Sequence, residues 1–401
     1  MFSKNKRWVC LLVIGLLIYY IKQAKDSMRI LIFNWRDIKN PSSGGAEILT
    51  HELAKYLIKK KNEVTLFTSK FEGSSGTEDI DGVTIIREGY SIARYFFNSV
   101  HYLAFKRYRK HFKGKIDLVI DEVHGFPFFT PWYVKEKKVV LVCEVAGNLW
   151  IKMFGLFFGT IGRMIEIFYL RFTYSAIPFI TISNSAEKDL VRNGVNRKNI
   201  TVIPVGVSIP RILPKINREK NPTIIFLGRV SRSKGIEDVI PVMNKLSAKY
   251  EIKMWVCGRQ DPFYKKELHE LVRKNDLDSK ITFFDYITEE EKFNLLSRSW
   301  ILFHPSKTEG WGINVIEANS MGVPAVGYNV PGLQDSIKNG KTGLLAKENA
   351  IDGLTEMIER LIVDTKLYKQ LSKEAIEWSK NFTWEKTGEK TWKILKKIYE
   401  E

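Results

Sequence analysis

The chain is poor in cysteine and lacks the short motifs by which many proteins hold a metal ion or a phosphate. Its 401 residues include three cysteines, Cys10, Cys143 and Cys257, each inside an apolar run and far from the other two. This spacing excludes a disulfide framework and a cysteine-based metal site, and it favours a reducing compartment. No G-x-x-x-x-G-K-[ST] sequence is present, which excludes a P-loop. There is also no internal repeat and no low-complexity segment.

Acidic residues are too few to balance the basic ones. Lys and Arg number 63 against 45 Asp and Glu, which gives a formal net charge of +18. This excess predicts an anionic partner, which can be a nucleic acid, a phosphorylated substrate or a membrane surface. With 44% apolar and 27% charged residues, the composition excludes a disordered or collagen-like chain. The length suits two domains of about 150–200 residues each.

The amino terminus contains an uncharged apolar run at residues 8–21 with basic residues on both sides. About 14 residues form roughly 21 Å of helix, which is shorter than the ~30 Å hydrocarbon core of a bilayer. A short spanning helix with lysines reaching the interfaces and a helix lying partly in the membrane both fit. A cleaved signal peptide fits less well, because Tyr19, Tyr20 and Ile21 make a poor cleavage site. We expect residues 1–27 to be a hydrophobic anchor; the alternative is a start site close to Met28.

Two series of strand-like and helix-like segments follow, separated by a proline-containing stretch at residues 208–222. Short apolar runs such as RILIFNW and KKVVLVC alternate with amphipathic stretches, which indicates parallel strands buried on both faces. The sequence therefore predicts an α/β protein with two doubly wound, Rossmann-like domains facing a cleft. The predicted domains are residues 28–207 and 223–377, joined by the linker 208–222 and followed by a C-terminal helix at residues 378–401.

The strongest candidate site is the segment of residues 304–318, where a strand ends in a glycine-containing turn and a helix begins. Gly310 and Gly312 let backbone N–H groups approach an anion at the helix N-terminus, where the helix dipole favours negative charge. Glu309 precedes the helix and Glu317 lies inside it. Carboxylates placed in this way can accept paired hydrogen bonds from the vicinal hydroxyls of a sugar or a ribose.

One further candidate loop follows the first strand of each half. Arg229 and Lys234 flank a short loop after the strand TIIFLG and suit a diphosphate, the arginine as a planar fork and the lysine as a point charge. Gly44 and Gly45 open the first helix of the N-terminal half, so their amides can reach the same phosphate from the opposite domain. Because ligands of open α/β sheets bind beyond the carboxyl ends of the strands, we expect these loops to share one cleft.

With these motifs the chain resembles the retaining, nucleotide-sugar-dependent family-4 glycosyltransferases of the GT-B fold, from about residue 28 to the C-terminus. The most specific shared motif is the E-x7-E pair formed by Glu309 and Glu317. The resemblance implies that Arg229 and Lys234 bind the donor diphosphate and that Glu317 holds the ribose hydroxyls. It also implies that Gly45 contacts the phosphate when the cleft closes, and that the C-terminal helix crosses back onto the first domain.

The resemblance places the transferred sugar against Glu309 and the backbone from Gly310 to Gly312. The donor-binding residues predicted in this segment also include Trp311, Asn314 and Val315. The family is usually described by a front-face reaction through an oxocarbenium-like transition state, in which the leaving diphosphate helps to deprotonate the acceptor hydroxyl. We expect no metal and no other cofactor, since the cations of the donor loop supply the positive charge.

One position departs from the family pattern. Many relatives carry a histidine after the strand written here as KKVVLVC, where this chain has Cys143 followed by Glu144. His124, which follows the preceding strand, is a candidate substitute, and Glu144 is a candidate for positioning the acceptor. The structural alternatives are a loop histidine and a solvated carboxylate. We therefore predict Glu309, His124 and Glu144 as the catalytic residues.

Two other segments suggest where the acceptor comes from. Residues 105–115 hold six cations and no acid, mixed with aromatic residues, which suits an anionic membrane surface. The same composition suits RNA, but no nucleic-acid motif accompanies it. Residues 150–174 are very apolar, so they form either core packing or a second element that enters the membrane. Together with the anchor, these segments favour a lipid-linked or cell-envelope glycan acceptor.

The sequence therefore predicts a membrane-associated glycosyltransferase that moves a hexose from a nucleoside diphosphate sugar, with its catalytic domains in the cytoplasm and no nucleic-acid partner. The alternatives are another GT-B enzyme, such as a phosphorylase or a sugar-nucleotide epimerase, and a non-catalytic partner that binds sugar nucleotides or glycans.

Overall fold

The computed structural model describes residues 27–91, 96–260 and 262–401, and in these it contains two β-sheets flanked by helices. Apart from its last residue, the predicted anchor at residues 1–27 lies outside the described residues. The strands of the first sheet are β1 (Arg29–Phe33), β2 (Glu63–Thr68), β3 (Thr77–Ile80), β4 (Val83–Arg87), β5 (Leu118–Val123), β6 (Lys137–Val142), β7 (Phe179–Thr181) and β8 (Ile200–Val202). The strands of the second are β9 (Thr223–Leu227), β10 (Lys253–Cys257), β11 (Ile281–Phe284), β12 (Ile301–His304), β13 (Ala325–Tyr328) and β14 (Gly343–Ala346).

Helices connect successive strands and cover both faces of each sheet. Those of the first half are α1 (Gly45–Lys59), α2 (Val100–Arg107), α3 (Leu149–Phe168) and α4 (Asn184–Arg192). Those of the second half are α5 (Val239–Ser247), α6 (Pro262–Lys274), α7 (Glu289–Arg298), α8 (Ile313–Ser320), α9 (Leu333–Ser336), α10 (Ile351–Val363), α11 (Thr365–Ser379) and α12 (Trp384–Glu400). Short π-helical turns follow α2 and α3, at Tyr108–Phe112 and Tyr169–Thr173.

The strand order places the ends of particular strands at the cleft. The first sheet has the order β3-β4-β2-β1-β5-β6-β7-β8, and the second has the order β11-β10-β9-β12-β13-β14. Neighbouring strands are parallel except for β3 and β4 at one edge. The order in which successive strands are added reverses between β1 and β5 in the first sheet and between β9 and β12 in the second. Ligands of such sheets bind at these switch points. The predicted pair of doubly wound α/β halves is confirmed.

Burial explains why these runs form central strands. Every residue of β9 is buried, as are four of the five residues in β1. Strands covered by helices on both faces read as continuous apolar runs rather than as an alternation of apolar and polar residues. The two halves therefore each have a core in which the strands are the middle layer.

The chain crosses between the domains twice, at adjacent points. After β8, the Val207 backbone N–H donates to the Phe382 carbonyl at 3.2 Å, and Trp384 Nε1 donates to Ser208 Oγ at 3.0 Å. Helix α12 then lies on the first domain, where Gly388 allows close contact: a Cβ there would lie 2.2 Å from the Tyr56 ring. The predicted return of the C-terminal helix is therefore present.

The C-terminal helix begins at Trp384, later than the predicted residue 378. Trp378 belongs to α11, which ends at Ser379, and α12 begins at Trp384. The break has a local cause, because the Thr383 side chain caps α12 by accepting a hydrogen bond from the Lys386 backbone N–H.

Helix α3 is a hairpin of two short helical arms. Gly155 has φ 75° and ψ 174°, which breaks the helix. A Cβ at Gly159 would lie 2.4 Å from the Ile151 Cα, so the second arm folds back against the first. Core packing of residues 150–174, one of the two alternatives, is wrong: most large apolar side chains of this segment are exposed. At the base of the hairpin, Trp150 packs against Gly125 of the domain and against Gly162 of the second arm.

Candidate active site

The cleft is lined by the loops after β1, β6, β9 and β12. The loop after β12 brings the predicted motif to the first domain: a Cβ at Gly310 would lie 3.3 Å from the carbonyl oxygen of Cys143. Gly312 caps α8 with φ 85°, a left-handed conformation that favours glycine. Asn314 Nδ2 donates to the Leu227 carbonyl, which ties the start of α8 to the end of β9. The two predicted donor loops are therefore held together.

Lys234 and Glu309 form an ion pair at the floor of the cleft. Lys234 Nζ lies 2.7 Å from Glu309 Oε2, and His304 Nε2 lies 3.1 Å from the same oxygen. Burial opposes ionisation of Glu309, but Lys234 and His304 outweigh it and hold the pKa of the carboxyl well below its usual range. Glu309 is therefore a fixed negative charge, with Oε2 occupied and the rest of the carboxylate available to a ligand.

Glu144 faces this pair from the first domain. Its pKa is raised to about 7, first by desolvation between the walls of the cleft and then by the Glu309 carboxylate, while Lys234 opposes the shift. The side chain is nevertheless solvent-accessible within the cleft. Glu144 therefore changes its charge near neutral pH, next to the fixed charge of Glu309.

Two arginines approach each other across the cleft. Arg36, in the loop after β1, is half-buried and stacks on the Trp35 ring at 4.1 Å. Burial lowers the pKa of Arg36, and the nearby positive charge of Arg229 lowers it further, while Glu47 opposes both. Arg229 has no carboxylate partner in the part of the chain that the structure describes. Two guanidinium groups held near each other in this way form a site that an anion would stabilise.

Gly45 lies where helix α1 of the first domain meets helix α8 of the second. A Cβ at Gly45 would lie 3.3 Å from Ile313 Cδ1, at the first residue of α8. The Gly44 N–H already donates to Glu47 Oε2 at 2.7 Å. Two helix N-termini from opposite domains therefore approach the same space, and both favour an anion there.

Glu317 is buried on α8 and is paired. Its Oε1 accepts a hydrogen bond from Lys292 Nζ at 2.8 Å, and the side chains are 8% and 13% exposed. Burial opposes the charge on Lys292, but Glu317 and Glu289 raise its pKa above the ordinary value. The second oxygen of Glu317 has no protein partner among the described residues, so it is the one that can accept a further hydrogen bond.

The other predicted donor residues contribute through their backbone or through packing. Trp311 packs against Phe382 with ring centroids 5.2 Å apart and is buried, and Val315 is buried in the core of the second domain. Their side chains therefore point into the protein, and only their backbone atoms are available to a ligand. Asn314 is occupied by the hydrogen bond to Leu227 described above.

His124 belongs to a buried network in the first domain. Its Nε2 lies 2.9 Å from Glu122 Oε1, and its ring stacks on Trp35 with centroids 5.4 Å apart. Burial opposes protonation, but the Glu122 carboxylate raises the pKa of His124. Cys143 is buried, and desolvation keeps the pKa of its thiol well above the ordinary value. The structure brings Glu144 to Glu309; His124 lies behind the loop that carries Arg36.

Three site residues were absent from the predicted set. The sequence predicts the end of the strand that precedes Arg36, but the approach of Arg36 to Arg229 depends on how the two domains pack together. Lys292 lies in the helix EEEKFNLLSR, where nothing in the sequence distinguishes it from a surface lysine. His304 is the first residue of the predicted segment 304–318, and its contact with Glu309 could have been inferred from the turn that separates the two residues. No group of three or more metal-ligating side chains occurs within residues 27–91, 96–260 and 262–401.

The two Rossmann-like sheets and the cation-lined cleft between them define an α/β protein with the GT-B fold, and known structures share this fold. Sucrose-phosphate synthase from Thermosynechococcus elongatus superposes with a TM-score of 0.79 at 19% identity, covering 93% of this chain and 99% of the other. HepE of Anabaena, solved in complex with UDP and glucose, superposes with a TM-score of 0.69 at 15% identity, covering 92% and 100%.

Two family models match successive parts of the sequence. The model for glycosyltransferase family 4 matches residues 43–211, and the model for glycosyl transferases group 1 matches residues 208–378. The two matches adjoin, so most of the chain is similar in sequence to glycosyltransferases of these two families. An uncharacterised glycosyltransferase of Haemophilus influenzae is 28% identical over 53% of this chain and 60% of its own length. The chain spans about half the length of the curated relatives it matches.

Proposed function

We propose that this chain is a retaining hexosyltransferase that moves a hexose from a nucleoside diphosphate sugar to a lipid-linked or cell-envelope glycan acceptor. The observation that carries the proposal is the arrangement at the cleft floor, where the Lys234–Glu309 pair lies with Glu144 opposite. Arg229 and Arg36 add positive charge from the two domains.

The donor half of the proposal rests on the positive groups of the cleft. A diphosphate between Arg229, Arg36 and Lys234 would meet two planar forks, one point charge and the N-termini of α1 and α8. The unpartnered oxygen of Glu317 would accept a ribose hydroxyl, as the family resemblance implies. The Anabaena protein of the same fold was solved with UDP, which supports a nucleoside diphosphate as the donor group.

The reaction would break the bond between the anomeric carbon and the diphosphate oxygen and form a bond to the acceptor oxygen on the same face. The acceptor proton passes to the departing diphosphate. Arg229, Lys234 and the helix N-termini stabilise the charge that develops on it. Glu309 would accept hydrogen bonds from the sugar; its lowered pKa makes it a weak base, which favours this role over that of a covalent nucleophile. Glu144, when ionised, would accept a hydrogen bond from the acceptor hydroxyl.

The acceptor side is supported by a cavity of about 340 Å³ beside Glu309. Glu144 and the residues after it form one wall, and Thr308 and Pro331 form the other. Lys152, Arg163, Arg192 and Lys307 also line this cavity, outnumbering its three carboxylates. A volume near the lower end of small-molecule sites suits one sugar unit with an attached anionic group.

The location is proposed from the sequence. Residues 1–27 would anchor the chain, because the apolar run at residues 8–21 has basic residues on both sides. The catalytic domains would lie in the cytoplasm. Protease protection of the full chain in sealed membranes tests this: the domains should be digested from the cytoplasmic side only, and digestion from the opposite side would reject the assignment.

Donor binding is tested by thermal unfolding with UDP, GDP and ADP and with their sugar conjugates. A ligand at ~100 times its Kd stabilises the folded chain by about 2.7 kcal/mol. One nucleoside series should raise the Tm of the wild type, and Glu317→Ala should lose most of that shift, while Glu348→Ala, on an exposed loop, should keep it. If no series raises the Tm, the donor site is wrongly assigned.

The reaction itself is tested with the donor found in this way and a membrane extract as the source of acceptor. An NMR spectrum of the product should show the anomeric configuration of the donor. Inversion would exclude the front-face mechanism, consumption of donor without acceptor would indicate an epimerase, and dependence on free phosphate would indicate a phosphorylase. Donor binding without any turnover would favour a non-catalytic partner.

A further inference from the structure

The tip of the α3 hairpin is the most apolar exposed surface in the part of the chain that the structure describes. Leu156, Phe157 and Phe158 lie at the tip, directly after the break at Gly155, and are 77%, 72% and 69% exposed. The arms and the following turn expose further large apolar side chains, namely Met153, Phe154, Ile161, Met164, Ile165, Phe168 and Phe172. An apolar projection of this kind marks a binding surface for a membrane or another protein.

The charges around the hairpin favour a membrane. The segment Leu149–Thr173 contains the cations Lys152, Arg163 and Arg171. Its one acid, Glu166, is buried and binds Arg163. A surface that combines exposed apolar and aromatic side chains with cations and no exposed acid complements an anionic lipid headgroup layer. We propose that the α3 hairpin inserts its tip into one leaflet of an anionic lipid bilayer.

The hairpin geometry determines how deeply it can enter. By length and composition the segment Leu149–Thr173 passes as a candidate membrane span. The contact between Gly159 and Ile151 brings both arms to the same side of the tip, so the hairpin enters and leaves through one surface. The hairpin is therefore an interfacial element rather than a span.

Aromatic contacts continue this surface along the first domain. Tyr169, just after α3, packs edge-on against Phe129, which stacks on Trp132 with centroids 4.5 Å apart. Trp132 is 66% exposed. The next residue, Tyr133, packs against Phe105, at the start of the basic segment of residues 105–115. Aromatic side chains at the edge of an apolar element suit the headgroup region of a bilayer.

The hairpin is coupled to the acceptor cavity. Glu166, on the second arm, accepts hydrogen bonds from the backbone N–H groups of Ala146 and Gly147, each at 2.8 Å. These residues lie two and three positions after Glu144, and Lys152 of the first arm lines the same cavity. Insertion of the tip would therefore place the cavity at the membrane surface, where a lipid-linked acceptor can enter from the leaflet. This last step rests on the proposed function; the docking surface does not.

Photo-crosslinking of the full chain tests the insertion directly. Benzoylphenylalanine replaces Phe157 in one variant and Tyr286, a similarly exposed residue of the second domain, in the control. Each variant is illuminated with vesicles of phosphatidylcholine and phosphatidylglycerol. We expect at least about tenfold more lipid adduct at position 157 than at position 286, and less in vesicles of phosphatidylcholine alone. Equal yields at the two positions would overturn the proposal, and adducts to a second copy of the chain would replace the lipid by a protein interface.

A second measurement separates docking from folding. Hydrogen exchange of residues 150–168 should slow at least about fivefold when the same vesicles are added to the wild type. It should not slow in the triple variant Leu156→Ser, Phe157→Ser, Phe158→Ser, whose exposed side chains leave the core intact. The Tm shift with a nucleoside diphosphate should be the same in both proteins. Slowed exchange in the triple variant would refute the docking role of the tip. If a nucleoside diphosphate does not raise the Tm of the wild type, the donor assignment is refuted, whereas the proposed docking surface is unaffected.

Discussion

The perturbed carboxyl of Glu144 leads to a prediction that can be worked out quantitatively. Its pKa of about 7 means that about a tenth of the chains carry an ionised Glu144 at pH 6 and about nine tenths at pH 8. If the ionised form accepts a hydrogen bond from the acceptor hydroxyl, kcat/KM should rise about tenfold across this interval. In Glu144→Gln the rise should disappear, because the amide does not titrate.

The assay is a pH profile of kcat/KM for transfer between pH 5 and pH 9, measured for the wild type, Glu144→Gln and a control. Glu348→Gln is the control, since Glu348 lies on an exposed loop and does not line the cavity beside Glu309. It should retain the rise. A profile for Glu144→Gln that still rises about tenfold would refute the role given to Glu144, whatever the absolute activity.

The same shift predicts a pH dependence of stability. Because folding raises the pKa of Glu144 from 4.5 to about 7, the folded chain binds this proton more tightly than the unfolded chain. The resulting stabilisation is complete below about pH 4.5 and is lost as the pH rises through about 7. The Tm of Glu144→Gln relative to the wild type should therefore be higher at pH 8 than at pH 4. An unchanged difference would show that the carboxyl is not desolvated.

Three further predictions concern the charges of the cleft. Lys234→Met should weaken nucleoside diphosphate binding about 10- to 100-fold in calorimetry, because it removes a charged donor worth about 1.5–3 kcal/mol. It leaves Glu309 in contact with His304, and Lys234→Arg should restore part of the affinity. Lys292→Met should lower the free energy of unfolding, measured in urea, by about 3–5 kcal/mol, because it leaves the buried Glu317 charge without a partner. A double variant that combines Lys292→Met with Glu317→Gln should recover most of this loss. Arg36→Ala should weaken binding of a nucleoside diphosphate about tenfold but leave binding of the uncharged nucleoside unchanged. A tenfold change in affinity is about 1.4 kcal/mol, and a hydrogen bond between a guanidinium and a phosphate supplies that amount. Equal losses for both ligands would contradict the assignment.

The sequence was most informative where burial imposes a pattern. Strands β1 and β9 were predictable because a parallel strand covered on both faces needs a continuous apolar run. The edge strand β3 was missed, since its residues Thr77–Ile80 carry acids on an exposed hairpin. Strand β14, Gly343–Ala346, was missed because four residues that include glycine and alanine give little apolar signal.

The site was only partly predictable for a related reason. Glycines at helix N-termini and paired glutamates are local features, so the loop of Glu309 could be identified from spacing alone. The partners of these groups come from distant elements: Lys234 is 75 residues from Glu309 in the sequence, and Glu144 is on the other domain. The α3 hairpin shows the same limit. Its composition suited a buried helix as well as a membrane element, and the conformation of Gly155 together with the exposure of the tip distinguishes them.

The two domain crossings have a mechanical consequence. Val207 and Phe382 join them by a backbone hydrogen bond, and Trp384 and Ser208 add a second connection between the same two strands of chain. Because the two crossings lie side by side, we expect any movement of the second domain relative to the first to pivot at this point. Opening of the cleft would then move Gly45 away from Ile313, and closure would bring the two residues back into contact. Because the cleft lies farther from the crossings than the crossings lie from each other, we expect a small change at residues 206–208 to displace the cleft walls at Gly45 and Ile313 by a larger amount.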